Sequence, residues 1–180
     1  DENNISDLSP LANLTSLEYF DAEVNNISDL SPLSGMSNLI GLDLDDNAIS
    51  DLSPLAGLTQ LLSLELDRNP IADFSYLASL TQLESLSLNN TGISDLSPLA
   101  GLTQLVRLDL GYNQISDLSA LVNNTGLGSG DEVELRGNPL NAAAYSTDIP
   151  ALEGRGVTVY YDAQDDEEVT IPDANLAAAL

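Results

Sequence analysis

Ile93-Ser94-Asp95-Leu96-Ser97-Pro98-Leu99-Ala100-Gly101-Leu102-Thr103-Gln104-Leu105 is the stretch that the rest of the chain repeats, because its pattern returns every 22 residues. Shifted along itself by 22 residues, the chain puts Ile5, Ile27, Ile49, Ile71, Ile93 and Ile115 in one column. Asp7, Asp29, Asp51, Asp73, Asp95 and Asp117 fill another. Each copy runs on into L-x-x-L-x-L-x-x-N, as in Leu61, Leu64, Leu66 and Asn69, and again in Leu105, Leu108, Leu110 and Asn113. A fixed period of this length marks an array of stacked units, none of which can bury its apolar face alone.

Within a copy, the L-x-L core such as Leu42-Asp43-Leu44 alternates apolar and polar residues and predicts a short strand with every second side chain inward. Stacked copies then make a parallel sheet. Asn3, Asn25, Asn47, Asn69 and Asn113 follow their strands at a turn, where an amide can serve backbone groups that no strand partner reaches. Thr91 replaces the asparagine in the fourth copy, and its shorter reach predicts a local weakness. In Ser53-Pro54-Leu55 the serine suits a helix N-cap and the proline the first helical position, so one short helical or 3₁₀ turn is expected per repeat. The fourth copy has Ser75-Tyr76 and the sixth Ser119-Ala120, without the proline.

These residues visibly resemble the leucine-rich repeat family, and the I-S-D-L-S-P-L-A-G-L-T-Q-L wording is similar to the short-repeat bacterial internalin type. The resemblance covers about residues 1–161. It implies an α/β solenoid: a right-handed leucine-rich repeat superhelix with a parallel β-sheet on the concave face and short 3₁₀ turns on the convex face. The repeats span about residues 1–140, and R-G-N-P-L…I-P-A-L-E-x-R-G-V resembles a C-terminal cap at about 141–161. Before the cap the register breaks at Asn124, and three extra residues loop out among Gly126, Gly128 and Gly130. Asn141 to Glu153 reads as a helix broken by Pro150, and Val157 to Tyr161 as a last strand.

Residues 162–180 read as an acidic linker, Asp162 to Glu168, followed by Ile171 to Leu180, which resembles the start of the cap helix that precedes another array. The family's amphipathic N-terminal cap has no counterpart before Ile5, so a fragment or a processed chain is expected.

At 180 residues the chain suits one domain with a core spread along the solenoid axis, and chains of this size bury about 70% of their unfolded surface. The formal charge is −25, from 29 acidic residues against four arginines and no lysine. That field repels nucleic acid and anionic membranes and attracts cations and basic partners; it also fits salt adaptation. With 43% hydrophobic residues at strict repeat positions, the charge belongs to a folded surface and not to a disordered chain. No cysteine or histidine is present, which excludes disulfides, thiolate chemistry, imidazole bases and the usual zinc ligands. No apolar run approaches the roughly 18 residues of a membrane span.

The residues alternating with the buried leucines face the concave surface, which the family resemblance makes the expected binding face. On the first three strands they include Tyr19, Asp21, Glu23, Asp43, Asp45, Glu65 and Asp67, and on the fifth Arg107 and Asp109. With strands about 4.8 Å apart, Asp21, Asp43 and Glu65 form one carboxylate ladder, and Glu23, Asp45 and Asp67 another. Like charges set directly opposite destabilise a sheet, so a basic ligand, a bound cation or salt should relieve them. Calcium suits such a cluster, although no D-x-D-x-D-G loop is present, and a solvated acidic face accounts for the same residues. Tyr19 and Tyr112 are candidate contacts, each an aromatic body with a polar tip. Arg107 and Arg136 add a basic element beside Asp109 and Glu134, which are positioned to pair with them. The Asp7 to Asp117 column is expected to shape the D-L-S-P turn through local backbone bonds.

A glycosidase pair of unlike acids in a cleft is not what a repeated position on an open surface supplies, so no enzyme is expected and no cofactor beyond a possible calcium ion. The family resemblance implies a non-catalytic recognition module of a secreted or surface-exposed bacterial protein, extracellular or at the cell surface. Its expected partner is a protein, a basic one suiting the acidic face, with carbohydrate second, no nucleic acid and no membrane insertion. The alternative is a structural subunit of a scaffold or filament assembled head to tail, with Ile171 to Leu180 of one molecule covering Ile5 and Leu8 of the next.

Overall fold

The computed structural model describes residues 3–164, so the expectations for Ile171 to Leu180 and most of the acidic linker lie outside the described residues. Seven three-residue strands form one parallel sheet in sequential order: β1 Tyr19–Asp21, β2 Gly41–Asp43, β3 Ser63–Glu65, β4 Ser85–Ser87, β5 Arg107–Asp109, β6 Glu132–Glu134 and β7 Thr158–Tyr160. Each of the first four pairings matches residues 22 apart, as in Leu42 with Leu64. Between β5 and β6 the spacing becomes 25, with Arg107 opposite Glu132. The looped-out residues therefore leave the sheet in register.

Opposite the sheet lie 3₁₀ turns at Ser9–Leu11, Ser31–Leu33, Ser53–Leu55, Ser75–Ser79 and Ser97–Leu99, and a short α-helix, α1, at Ser119–Asn123. The two copies without proline have the longer, five-residue turns. The serines of the Ser-Pro-Leu turns, such as Ser53, do not act as N-caps, contrary to the sequence reading; a leucine holds that position, with no capping side-chain bond. The aspartate two residues before the serine does this work. From Asp7 to Asp117, each Oδ1 accepts the backbone N–H of the following serine at 2.7–2.8 Å. A carboxylate two residues upstream reaches the N–H directly, and the serine hydroxyls of Ser53 and Ser97 donate to the second oxygen.

The leucine and isoleucine columns fill the space between sheet and turns as one continuous core, with Leu44, Ile49, Leu66, Leu88 and Ile115 fully buried. Each such side chain stabilises the fold by about 1.5–3 kcal/mol relative to exposure. Because every coil's leucines pack against those of its neighbours, this gain belongs to the stack rather than to any one repeat.

Asparagines stitch successive coils together at the turn after each strand. Asn69 Nδ2 donates to the carbonyls of Leu66 and Asp67 in its own coil and of Leu44 in the preceding one, while Oδ1 accepts the Ile49 N–H. The residue before each of these positions is left-handed, at Val24, Asp46, Arg68, Asn90 and Tyr112, with Gly137 before Asn138. Thr91 interrupts the series. Its hydroxyl reaches only Leu88 O and Asn113 Oδ1, and the Ile71 N–H turns to its own Asn69 carbonyl. A cleft between Ile71 to Ser75 and Gly92 to Pro98 opens beside this gap, and Ile71 is the most exposed of the repeat-column isoleucines Ile27, Ile49, Ile71, Ile93 and Ile115.

Asn124, placed in an apolar column, is fully buried and fully used: Nδ2 donates to Leu99 O and Leu102 O, and Oδ1 accepts the Gly126 N–H. Gly126 lies so close to the Thr103 backbone that a Cβ would sit 2.0 Å from its carbonyl oxygen, which fixes glycine there. Beyond β6, the expected break at Pro150 does not occur. A π-helical turn at Ala144–Asp148 runs directly into α2, Ile149–Glu153, with Pro150 in its first turn. The wide turn leaves room ahead of a residue that has no N–H to donate.

Candidate concave-face site

The strand register sets the concave side chains in columns. Tyr19, Gly41, Ser63, Ser85 and Arg107 form one, and Asp21, Asp43, Glu65, Ser87, Asp109 and Glu134 the next. The carboxylates of Asp43, Asp45 and Glu65 converge, each offering an oxygen within 4.8 Å of the others. These three would ligate a calcium ion if one bound, with water completing the roughly six to eight oxygens it takes.

The two ladders differ in depth. Asp21 and Asp43 each accept the backbone N–H two residues on, from Glu23 at 3.2 Å and from Asp45 at 3.1 Å. Asp45 and Asp67 reach across coils instead: Asp45 Oδ1 accepts the Asp67 N–H at 2.7 Å, and Asp67 Oδ1 accepts the Asn89 N–H at 2.8 Å and the Ser87 hydroxyl at 2.6 Å. The second ladder is thus partly buried and braces the sheet. Burial, followed by the charges of Asp67, Asp43 and Glu65, pushes the Asp45 carboxyl up to about 7. Glu65 is raised by burial and then by Asp43 and its acidic neighbours, and Asp67 is raised mainly by burial against the bonds from Ser87 and Asn89.

Of the two expected arginine pairs, Arg136 with Glu134 forms and Arg107 with Asp109 does not. Arg107 pairs with Glu132 at 3.3 Å and not with Asp109, because Glu132 is its direct cross-strand partner. Asp109 instead accepts the Gly111 N–H. Arg136 pairs with Glu134 and lies over the Tyr160 ring, 5.8 Å from its centroid. Arg68, not singled out from sequence, makes a two-point contact with Asp46 of the preceding coil at 2.6 and 2.5 Å. Both occupy the left-handed position of their repeats, a coincidence that the 22-residue alignment contains but that only the turn geometry makes meaningful. Tyr19 and Tyr112 are both 66% exposed. Tyr19 stands at the first strand among the carboxylates, whereas Tyr112 packs on Gly137 at the rim, far along the array.

A family described as "Leucine Rich repeats (2 copies)" matches residues 37–79 and 81–123. Internalin C2 from Listeria monocytogenes superposes with a TM-score of 0.79 at 35% identity, over 89% of this chain and 68% of that one. The chain belongs to the internalin-like leucine-rich repeat proteins. A second internalin of the same organism, inlF, superposes with a TM-score of 0.74 at 33% identity; 89% of this chain covers 54% of that one. No curated protein matches. The internalin-like fold is that of a protein-interaction module, and among the described residues no helix is long and apolar enough to cross a membrane.

Proposed function

We propose that this chain is a non-catalytic protein-recognition module of a secreted or surface-exposed bacterial protein, which binds a basic partner on its acidic concave face. The observation that carries this reading is the six-carboxylate patch of Asp21, Glu23, Asp43, Asp45, Glu65 and Asp67 at and just after three adjacent strands. Among the described residues its one arginine contact is Arg68 at 4.0 Å from Asp67. A sheet braced by inter-coil bonds loses little freedom on binding, and the acidic field speeds encounter with a cationic surface. The repeated carboxylates lie on an open sheet and not in a substrate cleft, which favours binding over catalysis.

Calorimetry with an oligolysine peptide tests the reading. Binding should weaken as salt rises and disappear in Asp43→Lys/Glu65→Lys; binding that survives both changes would refute it. Stacking of near-identical coils in one register favours a second reading in which coils of different molecules stack head to tail. Light scattering across a hundredfold range of concentration separates the two, since only stacking makes mass grow with concentration.

A further inference from the structure

The geometry points to an arginine side chain of the partner as the group that seats in a recess between Tyr19 and Glu65. This inference rests on the proposed recognition role and gives it an anchor. The Tyr19 ring lies across the neighbouring strand onto Gly41, where a Cβ would come within 2.8 Å of the ring. Any other residue at 41 would lift the ring. Gly41 and then Ser63 keep the column beyond it low, leaving a mostly apolar recess of about 390 Å³ floored by Leu42 and bordered by Asp43 and Glu65.

The recess thus joins an exposed aromatic face to carboxylates at its edge. Asp43 uses one oxygen for the Asp45 N–H, and among the described residues no arginine pairs with Asp21, Asp43 or Glu65. All four arginines of the chain are engaged elsewhere: three in ion pairs and Arg155 on the carbonyls of Leu121 and Asn124. The charge that the recess lacks must come from outside. A guanidinium fits both surfaces, because its plane stacks on a tyrosine face while its N–H groups bond carboxylates, which an ammonium does less well.

NMR titration of the full chain with N-acetylarginine amide, its uncharged citrulline analogue and N-acetyllysine amide tests this, beside an oligolysine peptide. Arginine amide should shift the amides of Gly41 and Ser63 and bind more tightly than the other two. Tyr19→Ala and Gly41→Leu should weaken it by about two- to fivefold or more, while Tyr19→Phe retains it. Tyr19 is two-thirds exposed, so its loss leaves the core intact, which unchanged melting would verify. Arginine binding equal in all these variants, with oligolysine binding still dependent on Asp43 and Glu65, would overturn the recess and leave the proposed function standing. Equal affinity for lysine would overturn the choice of arginine, and no binding of any basic probe would overturn both proposals.

Discussion

Asp45 Oδ1 holds the backbone N–H of Asp67 at 2.7 Å across the gap between successive coils. The contact secures the sheet edge and sets two carboxylates of the same sign side by side, both partly buried.

Stability should therefore depend on pH through this pair. Asp45 binds its proton more tightly folded than unfolded, at about 7 against an ordinary 3.8. Its favourable contribution is complete below the ordinary value and is lost as pH rises through about 7. Glu65 and Asp67 shift in the same direction. Urea denaturation from pH 4 upward should show Asp45→Asn flattening the decline seen in the parent protein.

The convex aspartates act with the opposite sign. Bonds from the following serine lower Asp29, Asp73 and Asp95, so their contribution is present above the ordinary value and is lost as pH falls. Asp95→Ala should lower stability through the unserved Ser97 N–H, and Ser97→Ala should lower it less. Denaturant midpoints at neutral pH measure the difference.

Asn69 and Thr91 occupy equivalent places with unequal work. Asn69→Ala removes one acceptor and three donor contacts at a buried turn and should cost about 2–4 kcal/mol. Thr91→Ala removes the bond to Leu88 O and a longer contact to Asn113, and should cost about 1 kcal/mol. Hydrogen exchange should be fastest beside the Ile71 cleft, where the inter-coil series is interrupted.

Calcium would occupy the site formed by Asp43, Asp45 and Glu65. If the ion binds, it raises the melting temperature in proportion to the logarithm of its concentration, and Glu65→Gln reduces the effect. An unchanged melting temperature at millimolar calcium marks the cluster as a solvated face.

The repeat made much of this readable from sequence. From β1 to β5 the strands recur at 22-residue spacing, with an inward leucine in β2 to β5, so one copy predicts the next, and the Asn and Asp columns carry their backbone roles with them. What stayed hidden depends on departures from the repeat or on distance in space. The Arg107–Glu132 pair arises because three looped-out residues bring Glu132 opposite Arg107. The recess at Tyr19 needs a glycine one coil away, a coincidence of two unlike residues that no period encodes. Pro150 suggested a break because sequence does not show the wide turn that accommodates it.

The most direct test of the account is where a cationic probe lands, since the convex turns carry Asp29, Asp51, Asp73 and Asp95 exposed. Amide shifts induced by oligolysine at about 0.15 M salt should map to residues 19–23, 41–45 and 63–67 on the concave strands. Shifts confined to the D-L-S-P turns would contradict it, and would make the concave carboxylates a structural feature of the sheet alone.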